Sequence, residues 1–171
     1  IKAHDMDIKV QMLTENDPDK LREKLFDFNQ KFPKNPEVNL LVGKGYRALG
    51  DTEDAKVSFR HAVENALFDG EILRKVATQQ MGIGDLNGAL WTLTKGKQAS
   101  PGDMRIGVLH AAVLSQLKDF DRAGDEIDKL FEEHGELPEI YMVQGDYFMA
   151  QQDTDSAIES YTAARDLART K

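Results

Sequence analysis

The chain has no cysteine among its 171 residues. That excludes disulfides, thiol nucleophiles and Cys-ligated zinc, and it leaves the choice between cytoplasm and periplasm open. Long apolar runs are missing as well. None approaches the ~20 residues of a membrane span, and no signal peptide is visible, so the sequence reads as a soluble segment without direct membrane insertion. Proline is scarce, with 5 in all, and no Pro-, Ser- or Gly-rich linker or low-complexity tract interrupts the chain. Positive charge is in deficit: a formal net charge of −8 lacks the basic footprint that replaces phosphate counterions, which argues against a nucleic-acid partner.

Convergent catalytic chemistry is also lacking. The four histidines, His4, His61, His110 and His134, stand apart from one another. His61 with Glu64 has no third ligand for a metal. His110 occupies a place that Val42 and Val76 hold in the two preceding copies of the repeat described next, which reads as a packing position. Gly43, Gly45, Gly50, Gly82 and Gly84 do not form a strand-to-helix phosphate loop. The pattern implies no cofactor, no metal and no enzymatic role.

What is present is a period. The stretch "ALGDTEDAKVSFRHA" at 48–62 returns 34 residues later as "GIGDLNGALWTLTKG", then around 115–130, then as "AQQDTDSAIESYTAA" at 150–164. Ala55, Ala89, Ala123 and Ala157 form one column, and Asp51, Asp85, Asp119 and Asp153 form another four places earlier. Four places after the alanines come Phe59, Leu93, Ile127 and Tyr161. Offsets of 0, 4 and 7 lie on one face of a 3.6-residue helix, and a second apolar stripe lies upstream in each copy. Each copy is therefore two amphipathic helices. Gly50 and Gly84 end first helices, and the aspartates cap second ones. Helices are predicted over 36–49, 52–66, 70–83, 86–99, 104–117, 120–134, 138–151 and 154–169, with a less regular pair before 35.

These residues resemble the tetratricopeptide repeat family, whose unit is also a 34-residue helix-turn-helix. The resemblance rests on the small residue of the first helix (Gly43, Ala77, Ala111, Gly145), the aromatic three later (Tyr46, Phe148) and the alanine column of the second helix. Gln80 and Leu114 replace the aromatic in the middle copies. The resemblance implies an all-α fold: a right-handed α–α superhelix of about five repeats forming a single array over 1–171. The repeats fall at 2–35 (degenerate, with Leu21, Leu25 and Asp17 in the columns), 36–69, 70–103, 104–137 and 138–171. The last apolar stripe meets the end of the sequence uncovered, so the chain reads as a segment of a longer protein, with self-association through the uncapped repeat end as the rival.

In this family the first helices line a concave groove that holds a protein or peptide partner. The matching positions are Leu40, Lys44 and Arg47 in the second copy, Arg74 and Thr78 in the third, Arg105 and Val108 in the fourth, and Met142, Asp146 and Met149 in the fifth. Their chemistry runs from basic to acidic and methionine-rich, which suits a partner segment with an acidic part and an apolar or basic part. The third copy carries a net +1, and the fourth and fifth −4 and −3. The acidic run at 119–136 reads as a solvated helix face or as an attractor for a basic partner. Two functions stay open: an interaction module serving as an assembly scaffold or adaptor, and a structural spacer within a bacterial-type export, exopolysaccharide or pilus apparatus.

Overall fold

The computed structural model describes residues 14, 15 and 17–169. Among the described residues nine α-helices and no strands occur: α1 Pro18–Lys31, α2 Pro36–Ala48, α3 Thr52–Ala66, α4 Gly70–Gly82, α5 Leu86–Ala99, α6 Met104–Gln116, α7 Phe120–His134, α8 Pro138–Ala150 and α9 Thr154–Arg169. The eight helices from α2 onward start where the 34-residue phase places them. First helices stop one residue earlier than predicted, and the first helix of copy 2–35 lies outside the described residues. No described helix is long and apolar enough to cross a membrane. The chain forms two compact units, one to Thr92 and one from Leu93, the boundary falling inside α5.

Local chemistry sets the ends of the helices. Pro18, Pro36 and Pro138 open α1, α2 and α8, where a missing N–H costs nothing. Asp17, Asn35, Asp69 and Asp103 accept hydrogen bonds from first-turn amides of α1, α2, α4 and α6. The four first helices among the described residues, α2, α4, α6 and α8, end in the same turn. Asp51, Asp85, Asp119 and Asp153 donate their backbone N–H to the carbonyls of Tyr46, Gln80, Leu114 and Phe148 at 2.9–3.0 Å, and the residue before each bonds three back. This paired closure puts the intervening residue in the left-handed region. Gly50 and Gly84 are there at φ 79° and 75°, as predicted, but the same place is taken by Lys118 at 62° and Gln152 at 67°.

The predicted aspartate caps hold at two of these four turns. Asp85 accepts from the Gly88 amide and Asp153 from that of Ser156. Asp51 and Asp119 make no side-chain cap. Asp51 is drawn away by Arg22 of α1, whose Nε donates to Oδ2 at 2.6 Å, and Asp119 accepts from Arg122. A guanidinium offers a charge-assisted bond that competes well with a single neutral amide.

In the first unit Leu21 and Leu25 of α1 bury against Val38, Leu41 and Val42 of α2. Phe59 of α3 is fully buried and lies over Gly43, where a Cβ would sit 2.4 Å from its Cε1. Asn39, buried completely, donates to Asn29 Oδ1 and accepts from Asn65, linking α1, α2 and α3. In the second unit Ala111, Ile127 and Val143 form one cluster of α6, α7 and α8, and Tyr161 of α9 covers Gly145 of α8 as Phe59 covers Gly43. The alanine column is at 0% exposure throughout, at Ala55, Ala89, Ala123 and Ala157.

Candidate protein-binding faces

In the first unit the sequence assigned Leu40, Lys44 and Arg47 on α2 and Arg74 and Thr78 on α4 to a partner surface. Leu40 does not belong there. It is 4% exposed, because α2 is covered on several sides, with every residue from Val38 to Gly43 buried. Lys44 is half-buried and Arg47 exposed. Arg47 donates through Nη1 to Gln79 Oε1 at 2.7 Å and lies along the backbone of Gly82, so its guanidinium bridges α2 and α4. Arg74 grips both oxygens of Glu71, at 3.1 and 2.9 Å. That pair holds Glu71 below its usual range, and Lys75 stands 3.3 Å from the same carboxylate. Thr78 spends its hydroxyl on the Arg74 carbonyl.

In the second unit Arg105 is exposed, and its Nε and Nη2 meet the two oxygens of Asp103 at 3.1 and 2.8 Å. Two of the four cations that made the sequence look basic along its first helices are therefore matched by a carboxylate two or three residues away. Val108 is a packing residue, half-buried against the Ala111, Ile127 and Val143 cluster. Met142 and Met149 on α8 are each 49% exposed. Between them Asp146 is exposed and accepts the Tyr161 hydroxyl at 2.7 Å. Burial first, and then the Asp146 carboxylate, push the Tyr161 hydroxyl up to about 12, so it stays a donor at neutral pH.

The most strongly perturbed carboxylate lies elsewhere, and sequence reasoning missed it. Glu126 of α7 is held between Lys97 of α5, which bonds to both its oxygens, and His110 of α6, whose Nδ1 stands 3.4 Å from Oε2. The imidazole is close enough to act on the charge but is not aligned for a hydrogen bond. Burial raises the affinity of Glu126 for its proton; His110 and Lys97 outweigh that and bring it down to about 2. Lys97 and Glu126 border a cavity of about 140 Å³ whose wall also includes Asp103, Lys129, Glu133 and His134. Among the described residues no group of three or more His, Asp or Glu side chains is placed to hold a metal. The cluster fastens three helices of the second unit.

Paired helices at a fixed period, a small residue under a ring at two of the pair crossings, and one repeated turn define a tetratricopeptide-type fold. The solved structures similar to the chain bear this out. A crystal structure of MamA superposes with a TM-score of 0.69 at 19% identity, covering 99% of this chain and 92% of that one. The structure of MamA from residue 41 to its end, from Desulfovibrio magneticus RS-1, gives 0.68 at 18% identity over 99% and 96%. YrrB, described as a TPR protein with an unusual peptide-binding site, gives 0.63 at 15% identity over 87% and 78%. No family model matches the chain, and no curated protein does.

Proposed function

We propose that the chain is a protein-interaction scaffold in which each unit, through the exposed faces of its own first helices, α2 and α4 in one and α6 and α8 in the other, can hold an extended or helical segment of a partner protein. One observation carries the reading. α8 is apolar on both sides, with Ile140 and Val143 buried in its own unit and Met142 and Met149 left half in water. Large apolar side chains left on the exposed side of a helix mark a surface suited to contact, and methionine suits surfaces that must fit more than one shape. The peptide-binding description of YrrB supports the reading by likeness of fold. Arg47 supplies a cation on the first unit and Asp146 an anion on the second. No catalytic step is assigned to the chain.

Partner capture from native lysate tests this with three baits: the unaltered chain, Arg47→Glu with Arg105→Glu on first helices, and Asp125→Lys with Asp128→Lys on the exposed side of α7. The first pair is expected to lose the partner and the second to keep it, with helical content and melting unchanged in both. Retention by the first pair, or loss by the second alone, overturns the placement on the first helices.

A further inference from the structure

Within the first unit, α3 and α5 flank a cleft of about 430 Å³ to which none of the first-helix surface residues contributes. Lys56, Arg60 and Glu64 of α3 line one side, Asp85 and Trp91 the other, and Gln80 near the end of α4 lies among them. The volume is that of a site for a small ligand or for one or two side chains.

Gln80 is what makes the cleft polar. Its column reads Tyr46, Gln80, Leu114 and Phe148, and Tyr46 packs its ring against the α1–α2 core. An amide in the same place is slimmer than a ring. Its Oε1 accepts the Thr92 hydroxyl at 2.7 Å. Its Nε2 meets no acceptor among the described residues, yet it is not sealed from solvent. Gln80 as a whole is only 3% exposed. A donor with so little water around it is costly unless an acceptor reaches it, and the cleft is the open side.

The walls supply a charge and an aromatic face. Trp91, the one tryptophan of the chain, is 44% exposed. Arg60 is exposed and pairs with no carboxylate among the described residues. Lys56 is engaged by Glu53 at 2.7 Å, and Asp85 gives one oxygen to the Gly88 amide. Two periods later, in the second unit, Lys56, Arg60, Gln80 and Trp91 are replaced by Gly124, Asp128, Phe148 and Glu159. The repeat itself therefore demands neither the cations, nor the amide, nor the indole. Tryptophan and arginine are also the side chains that most often carry binding energy at protein interfaces.

We infer that this cleft binds an acidic segment of a partner protein. One carboxylate takes the Gln80 amide hydrogens and the Arg60 guanidinium, and an apolar side chain beside it lies on Trp91. Charge selects the occupant: the two groups that lack an acceptor are both donors, and a carboxylate satisfies them together. Glu64, exposed one turn beyond Arg60, and Asp85 repel a second carboxylate and so hold the ligand to one. The site shares no residue with the first-helix surface proposed above and stands or falls separately.

The test uses the full chain and three end-capped peptides: Gly-Leu-Glu-Gly and its forms with Gln or Lys in place of Glu. Trp91 emission and the side-chain amide signals of Gln80 follow binding. The Glu peptide is expected to move both and to bind about tenfold tighter than the Gln peptide, with the Lys peptide weaker still. In Arg60→Glu, a change at an exposed position, the order of the Glu and Lys peptides should reverse. In Gln80→Leu, which installs the residue of the fourth copy, the preference for Glu over Gln should shrink. Helical content should be unchanged in both. Equal binding of the Glu and Lys peptides, a Glu preference unaltered in either variant, shifts at Arg47 and Thr78 instead, or no binding at millimolar peptide overturns the inference. None of these outcomes alters the capture result for Arg47 and Arg105. Concentration-dependent dimers of the chain that vanish in Arg60→Glu would make a second copy the occupant and overturn it as well.

Discussion

Gly43 of α2 lies directly beneath the ring of Phe59 in α3, so close that a Cβ would fall 2.4 Å from Cε1 and 2.6 Å from Cδ1. One ring and one missing side chain set the distance between the two helices. The same pairing recurs at Gly145 and Tyr161, where the gap would be 2.3 Å. The fourth copy solves the problem differently, with Ala111 against the smaller Ile127. Small-to-large exchange is thus compensated across the crossing rather than at a single position.

That relation is testable as a cycle. Gly43→Ala should cost about 1–3 kcal/mol by overpacking. Phe59→Leu alone should also destabilise, by opening a cavity. Together they reproduce the alanine-with-aliphatic arrangement of the fourth copy, and the double variant is expected to be more stable than the sum of the two single losses by about 1 kcal/mol or more. Urea midpoints at unchanged slope measure this; strict additivity would mean that the two side chains do not limit each other.

The left-handed turns give a second expectation of opposite sign. Lys118 and Gln152 hold φ of 62° and 67° at the place where two other copies have glycine. A side chain there costs roughly 1–2 kcal/mol, against which glycine loses some chain entropy. Lys118→Gly and Gln152→Gly should each raise stability by up to about 1 kcal/mol, read from thermal or urea unfolding. The reverse change, Gly84→Lys, should lower it.

Most of the helix plan was legible because the period is a property of one stripe in each helix, and each copy reports it again. Exposure was less legible, because a first helix is covered by neighbours that the period does not name; Leu40 was misplaced for that reason. The local ion pairs of Arg74 with Glu71 and Arg105 with Asp103 were readable from spacing alone, since residues three apart on a helix meet and a capping aspartate sits beside the first turn. The Glu126 cluster also left a trace. Its column otherwise reads Ser58, Thr92 and Ser160, and the His110 column reads Val42, Val76 and Gln144. In the fifth copy the same two columns join through a hydrogen bond from Ser160 to Gln144. A charge and an imidazole appearing together in paired columns was the signal; its strength depended on burial, which no spacing reveals.

Glu126 predicts a defined pH dependence. Its folded value of about 2 lies below the ordinary 4.5, so its stabilisation is fully present above the unfolded value and is lost as pH falls toward 2. Glu126→Gln should cost about 2–3 kcal/mol at pH 7, with the deficit shrinking between pH 5 and 2. Urea unfolding of both proteins across that range measures the difference. A deficit that stays constant with pH would show that shape, not charge, holds α5, α6 and α7 at this point.

The interaction role is tested most directly by selecting binding peptides against the intact chain from a displayed random library and mapping the strongest of them by amide chemical shifts. The expected result is a peptide whose perturbations fall on the exposed sides of the first helices of a unit, at Arg47 and Thr78 of the first unit with binding weakened by Arg47→Glu, or at Arg105, Met142 and Met149 of the second with binding weakened by Met149→Lys. Perturbations centred on Asp121, Asp125 and Asp128 of α7, or a selection that yields no specific binder, would contradict it.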